Sequence, residues 1–160
     1  MKAIISKSVL ALSLILSSPG LLQASEAEQH YVRCVACHLA DGQGIPGAFP
    51  PLKNRLAKIA SSELGRQYLV RVLNGGLMGM IKVNGQSYSG VMPAQTGDLS
   101  AQQIANLLNY ATEKLDAENK SKSWQPFSEQ EIKNLSKNKG NPVANANLRK
   151  QLINKQPELN

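Results

Sequence analysis

The stretch Cys34-Val35-Ala36-Cys37-His38 contains both cysteines of this 160-residue chain. A thioredoxin-like redox pair would need a βαβ setting, which the sequence does not show. A structural zinc site would need four Cys or His ligands, and only His30 remains to complete one. A disulfide is the default for two cysteines in an oxidising compartment, but it leaves the adjacent His38 without a role.

The same spacing is the sequence at which a c-type haem is attached. Two thiols add to the two vinyl groups of the haem, and the next residue then lies below the iron, where its imidazole can bind the metal. The pattern therefore predicts one covalently bound haem c. Cys34 and Cys37 are predicted to form the thioethers, and His38 is predicted to be an axial ligand of the iron.

A second axial ligand is expected among the methionines that follow the motif, which are Met78, Met80 and Met92. A thioether is a soft ligand that raises the haem potential above that of bis-His ligation, although methionine also serves simply to fill gaps in a core. Met92 is preferred because Pro93 restricts the backbone beside it. It also follows a predicted hairpin at Asn84-Gly85, a turn signal that would carry Met92 across the haem.

The two histidines have different predicted roles. The ring of His38 needs an acceptor for its second nitrogen, and the carbonyl of Pro50 or Pro51 lies at a suitable distance along the chain. His30 lies four residues before Cys34 on the same predicted helix. It is therefore poorly placed to reach the opposite face of the haem and is interpreted as a partly exposed helical residue.

Hydrophobic periodicity and capping residues predict a mostly helical chain. The predicted helices cover residues 26–37, 63–73, 101–115, 129–137 and 148–153, and the hairpin strands cover 81–83 and 86–88. Ser62 and Ser100 are the predicted N-caps, with Gln103 completing a capping box. The glycine- and proline-rich stretch between 41 and 51 is predicted to be irregular.

Residues 1–24 are predicted to be a Sec-type signal peptide that directs the protein to the periplasm. Lys2 and Lys7 precede an apolar run over 9–16 that is too short to span a bilayer, and Ala24 offers a cleavage site. An uncleaved N-terminal anchor is the alternative. The remaining chain divides into a haem domain, 25–119, and an extension, 120–160, with no further run of apolar residues that predicts membrane insertion.

The positive charge is concentrated in the extension. Residues 25–119 carry eight basic and eight acidic side chains, whereas 120–160 carry eight basic and three acidic ones, a net charge of +5. A basic segment fits nucleic acid, a membrane surface or an acidic protein face. Export and the lack of interleaved aromatic residues argue against nucleic acid. Trp124 and Phe127 are expected to dock the extension on the haem domain.

The chain resembles the class I cytochromes c, and most of all the long bacterial members with a C-terminal extension, some of which donate electrons to terminal oxidases. The resemblance rests on the attachment motif, on residues 42–52 and 83–93, and more weakly on 126–133. It implies an all-α cytochrome c fold, with about four to five helices around one haem, a short β-hairpin and an extension wrapped on the core.

The resemblance also implies several contacts within the cytochrome c domain, 25–119. The first and last helices of the core should cross, with Tyr31 meeting residues 107–110. Pro50 should accept the Nδ1 proton of His38, and Leu52 should pack on the haem.

The expected function is that of a monomeric periplasmic one-electron carrier, not an enzyme. Its expected partners are a terminal oxidase, a reductase or a dehydrogenase. One alternative is an electron-entry subunit of a larger respiratory complex, with the basic extension as its attachment. A second alternative is an enzyme or gas sensor with a labile sixth iron ligand. The sequence contains no motif for hydrolysis or phosphate chemistry.

Overall fold

The computed structural model describes residues 19–116 and 124–160, and the side chains within them from residue 26 onward. The signal-peptide features predicted at residues 2–16 lie outside this range. The described elements are α1 (Pro19–His38), α2 (Leu56–Ile59), α3 (Glu63–Gly75), β1 (Leu77–Val83), β2 (Gln86–Met92), α4 (Ala101–Leu115), α5 (Glu129–Leu135), α6 (Pro142–Lys155) and a 3₁₀ turn (Pro157–Leu159). The predicted fold class, mostly helical with one short hairpin, is confirmed.

Helix α1 is longer than predicted, because it begins at Pro19 instead of residue 26. Proline suits the first turn of a helix, where its missing N–H would have no partner. The following Leu21, Leu22 and Ala24 are good helix formers. The helix ends at His38, and Leu39 then takes a positive φ of 64°. The attachment motif therefore occupies the last turn and a half of α1.

Helix α4 begins at the capping box predicted from the sequence. The Ser100 hydroxyl accepts from the backbone N–H of Gln103 at 3.2 Å, and the Gln103 side chain accepts from the N–H of Ser100 at 2.9 Å. Helices α1 and α4 pack together, and the rings of Tyr31 and Tyr110 lie 5.8 Å apart between them. This is the crossing that the resemblance implied, and it sets the direction in which α1 presents its last turn.

The hairpin is also longer than predicted. Asn84 and Gly85 take positive φ values of 52° and 77°, as a tight two-residue turn requires. The antiparallel ladder continues from this turn to the pair Leu77 and Met92. Gly79 and Gly90 face each other within the ladder and have low strand propensity, so the sequence pattern predicted shorter strands. Met92 is therefore the last residue of β2 and does not lie beyond the hairpin.

The described part of the extension, 124–160, packs on the outside of the helical core. Helix α5 contacts α3 and α4, and α6 contacts α3 and β1. Its buried apolar side chains are Phe127, Ile132, Leu148, Leu152 and Leu159. Helix α6 begins earlier than predicted because Asn141 caps it, accepting from the N–H of Ala144 at 2.9 Å, and Pro142 occupies its first turn.

Two side chains of the core bind the extension directly. Asn109 of α4 donates to the carbonyl of Phe127 at 2.9 Å and accepts from its N–H at 2.7 Å. Arg66 of α3 donates to both carboxylate oxygens of Glu131, at 2.5 and 2.6 Å, and lies 3.9 Å from the centre of the Phe127 ring. Trp124, the other predicted anchor, packs against the same core.

Candidate haem-binding site

Two adjoining cavities, of about 350 and 120 Å³, open between α1, the hairpin and the loop after α1. We call the larger one the outer cavity and the smaller one the inner cavity. Six residues line both: Cys34, His38, Pro50, Leu77, Ile81 and Met92. Most of the other lining side chains are apolar, so the walls suit a large apolar group.

The cysteines of the motif face this space. Cys34 and Cys37 both line the outer cavity, because residues three apart on a helix share one face. The two cysteines do not form a disulfide with each other. Burial raises the pKa of the Cys34 thiol to about 11, although the nearby Arg33 opposes this shift. A reactive redox thiol needs a lowered pKa, so this environment argues against a thioredoxin-like pair.

The ring of His38 is buried and has a defined tautomer. Its Nδ1 lies 2.8 Å from the carbonyl oxygen of Pro50. Because a carbonyl can only accept, Nδ1 must carry the proton, which leaves the lone pair of Nε2 available for a metal. Burial lowers the pKa of His38, and the hydrogen bond to Pro50 opposes this shift. The ring is therefore held in the neutral form that a metal ligand requires.

The loop after α1 positions Pro50 beside this ring. Gly44 donates its N–H to the carbonyl of His38 at 2.9 Å and has a φ of 68°. A Cβ at Gly44 would overlap the carbonyl oxygen of Phe49, so only glycine fits this close approach. The irregular stretch predicted from its glycines and prolines is thus a tightly folded loop. It also carries Leu52, whose side chain lines the inner cavity.

The three candidate methionines lie on different faces of the hairpin. Side chains alternate between the two faces of a strand, so Leu77 and Ile81 of β1 face the cavities while Met78 and Met80 point away. Met78 is 39 % exposed and Met80 is 74 % exposed. Met92, paired with Leu77, lines both cavities. His30 lines neither cavity.

Two buried arginines that the sequence reasoning missed line the inner cavity. Arg55 donates to the side-chain oxygen of Asn84 at 2.7 Å, and Arg149 of α6 donates to the carbonyl of Lys82 at 2.6 Å. Both also donate to the carbonyl of Leu159. Burial lowers the pKa of Arg55, and the neighbouring charge of Arg149 lowers it further.

This pair of like charges provides a test of whether a haem fits. Buried charges are normally paired, and Asp116, the buried carboxylate nearby, accepts from the backbone N–H of Ala57 at 2.5 Å. The two carboxylates of a haem would supply the missing negative charge. A haem therefore fits this site, because the walls are apolar and two thiols and a neutral imidazole face the cavity. The two buried guanidiniums match its carboxylates.

The described residues offer little support for a different kind of site. Within 19–116 and 124–160, no three His, Cys, Asp or Glu side chains gather where they could bind a metal ion together, which removes the zinc alternative there. Over the same residues, none of the helices has the length and apolar character needed to cross a membrane.

A helical fold in which helix α1 ends in a haem-attachment motif, above an apolar cavity, defines a c-type cytochrome. The sequence profile described as Cytochrome c matches residues 24–113, more than half of the chain. The chain belongs to the cytochrome c family. Its cofactor is covalently bound haem c, and it is an electron carrier that exchanges electrons with redox partners.

Individual relatives support the same assignment. The chain is 41 % identical over 136 residues to a cytochrome c-552 of Thermus thermophilus, covering 85 % of this chain and 90 % of the relative. It is 43 % identical over 112 residues to another Thermus thermophilus cytochrome c-552, covering 70 % of this chain and 85 % of the relative. It is 31 % identical over 97 residues to the cytochrome c subunit of a quinone alcohol dehydrogenase from Gluconacetobacter polyoxogenes, covering 60 % of this chain and 20 % of the relative.

Proposed function

We propose that the protein is a periplasmic monohaem one-electron carrier whose haem is attached through Cys34 and Cys37 and whose iron is ligated by His38 and Met92. One observation carries this proposal. A single apolar space is lined by the attachment motif, by a neutral histidine with a free Nε2 and by one of the three candidate methionines.

Each of these residues has a defined task. The bound haem supplies an iron that gains and loses one electron. Pro50 keeps the proton on Nδ1 of His38 and so directs Nε2 toward the metal. The hairpin carries Met92 to the cavity from the opposite element. Arg55 and Arg149 are proposed to bind the haem carboxylates, and Leu52 to pack on the ring. Because His38 and Met92 would both hold the iron, no substrate needs to bind, so the protein is proposed not to be an enzyme.

Partners are proposed to dock at the mouth of the outer cavity. Val91 borders this cavity, and its side chain lies beside Met78 on the outer face of the hairpin, where it is 65 % exposed; Gly79 and Gly90 nearby let another protein approach closely. Electron-transfer encounters use small interfaces that release quickly, which an exposed apolar spot of this kind can supply. A terminal oxidase, a reductase or a dehydrogenase of the respiratory chain is the proposed class of partner, and the carrier itself is proposed to be a monomer.

Export is part of the same proposal. Residues 1–24 are proposed to direct the chain to the periplasm and to be removed after Ala24, leaving the cytochrome domain 25–119 and the extension 120–160. The new N-terminus would lie within the residues that form α1, well before the attachment motif. Mass spectrometry of the protein isolated from periplasm tests this, since a mature chain beginning at Ser25 is expected and an intact residue 1 would contradict it.

A redox titration tests the electron-carrier proposal. The holoprotein is expected to follow a one-electron Nernst curve, and the reduced form is expected not to bind carbon monoxide, because both axial positions are filled. Rapid binding of carbon monoxide by the native protein would contradict the proposed ligation and favour an enzyme or a gas sensor with an open iron site.

The second candidate function is an electron-entry subunit of a larger enzyme. It is favoured by the similarity to the cytochrome subunit of a quinone alcohol dehydrogenase, which covers one fifth of that relative. Gentle purification from periplasm and membranes distinguishes the two candidates. A carrier elutes at the mass of one chain, whereas a subunit elutes with other polypeptides.

A further inference from the structure

Arg33 lies beside the attachment motif and has no role in the function proposed so far. It immediately precedes Cys34 in α1, and its side chain lines the outer cavity. Its guanidinium donates to both carboxylate oxygens of Asp98, at 2.8 and 3.2 Å, and to the carbonyl of Gln95 at 2.6 Å. Its Nε also donates to the carbonyl of His30 at 3.1 Å. The planar Arg33 guanidinium is therefore hydrogen-bonded both to its own helix, α1, and to Gln95 and Asp98.

Both acceptors outside α1 belong to the segment that follows Met92, residues 93–99, which leads from β2 into α4. The opposite side of this segment is bound to the end of α3. Gln95 donates its N–H to the carbonyl of Leu73 at 2.8 Å, and the Thr96 hydroxyl lies 2.5 Å from the side-chain oxygen of Asn74. The segment is thus held between α3 and Arg33.

We propose that Arg33 is a positioning residue that locks segment 93–99 to the attachment helix and thereby keeps the Met92 thioether in the cavity against competing ligands. This rests on the proposed ligation of the iron by His38 and Met92. A thioether is displaced when its chain segment moves away, and the bonds to Arg33 are among those that must break before this segment can move. The apparent affinity of a competing ligand is set by the fraction of open protein.

The exposed location of the Arg33–Asp98 ion pair distinguishes the positioning of Met92 from a contribution to the stability of the whole fold. Asp98 is 69 % exposed, so the pair is screened by solvent and salt and adds little to global stability. Its effect is instead local, because Gln95 lies only three residues after Met92. Loss of the pair should therefore change ligand displacement much more than it changes unfolding.

The test is an imidazole titration of the ferric holoprotein, followed by the weak far-red absorption band that reports sulfur ligation. Arg33→Gln is expected to bind imidazole about two- to fivefold more tightly than the native protein, by the measured range of partly exposed ion pairs. Asp98→Asn should show a smaller increase, because the bond from Arg33 to Gln95 remains. High salt should raise the affinity of the native protein and leave that of Arg33→Gln nearly unchanged.

Arg66→Gln is the matched control. Arg66 makes a similar two-bond ion pair with Glu131, but it lines neither cavity and binds the extension. This variant should unfold at a lower denaturant concentration and bind imidazole as the native protein does. Equal imidazole affinity in Arg33→Gln and the native protein would overturn the proposal, as would an equal increase in Arg66→Gln. If the native protein lacks the far-red band, the Met92 ligation itself is wrong and the positioning role falls with it.

Discussion

The haem-side region, residues 26–116, and the described extension, residues 124–160, bury their apolar side chains in different ways. The extension packs Phe127, Ile132 and Leu152 against helices of the core. The haem-side region turns Leu77, Ile81 and Met92 toward a cavity instead. The core under the extension is therefore complete without a cofactor, whereas the core around the cavity requires one.

This difference changes how the basic extension is understood. Its positive charge suggested a docking element for a partner, but part of that charge has a structural role. Arg149 is buried and lines the inner cavity. Changes in the extension at positions other than Arg149 should accordingly affect stability and leave haem chemistry unchanged.

The largest effect is expected from removing the covalent attachment. Replacing Cys34→Ser and Cys37→Ser together should abolish covalently bound haem and leave the cavity without its apolar filling. A domain of this size has a stability of only about 5–15 kcal/mol, so loss of this apolar contact should also abolish cooperative unfolding. Haem staining after denaturing electrophoresis and a thermal melt measure both effects. A cooperative melt in the haem-free variant would show that the haem is not needed for a stable core.

Truncation after Asn119 is expected to have the next largest effect. It exposes the core surface that the buried side chains of the extension cover. Replacing just one buried side chain of this kind by alanine costs about 2–5 kcal/mol of stability. The shortened holoprotein should therefore unfold at a far lower denaturant concentration.

The exposed lysines of the extension provide the control for truncation. Lys150→Ala and Lys155→Ala should change the free energy of unfolding by less than about 0.5 kcal/mol. If truncation leaves the unfolding midpoint unchanged while these two variants slow electron transfer, the extension is a docking element and not part of the fold.

The smallest change in stability is expected from Val91→Ser on the outer face of the hairpin, beside the mouth of the outer cavity. It should leave unfolding unchanged and slow electron self-exchange between two copies of the protein by about three- to tenfold, as for a residue at the centre of a small interface. NMR line broadening in mixed oxidised and reduced samples measures this rate. Val143→Ser is the matched control, because Val143 is similarly exposed, at 56 %, but lies on α6 and lines neither cavity. Equal self-exchange rates in the two variants would place docking elsewhere.

The sequence was sufficient where structure depends on neighbouring residues. The attachment motif, the turn at Asn84-Gly85 and the capping box at Ser100 each follow from a few adjacent side chains. The lengths of α1 and of the hairpin were underestimated, because Pro19 and the facing glycines carry weak or contrary local signals.

Contacts between distant parts of the chain could not be predicted in this way. Arg55 and Arg149 are 94 residues apart in sequence, yet both donate to the carbonyl of Leu159. Arg33 and Asp98 pair across 65 residues. No local pattern marks any of these side chains, because each acquires its role only when α6 or the segment after β2 packs into place.

Met92, alone among the methionines of the hairpin, is proposed to ligate the haem iron. The far-red sulfur band of the ferric holoprotein tests it in three variants, Met78→Ala, Met80→Ala and Met92→Ala. The band is expected to disappear only in Met92→Ala, because Met78 and Met80 lie on the opposite face of the hairpin. A band that survives in Met92→Ala, or that is lost in Met78→Ala or Met80→Ala, would contradict it.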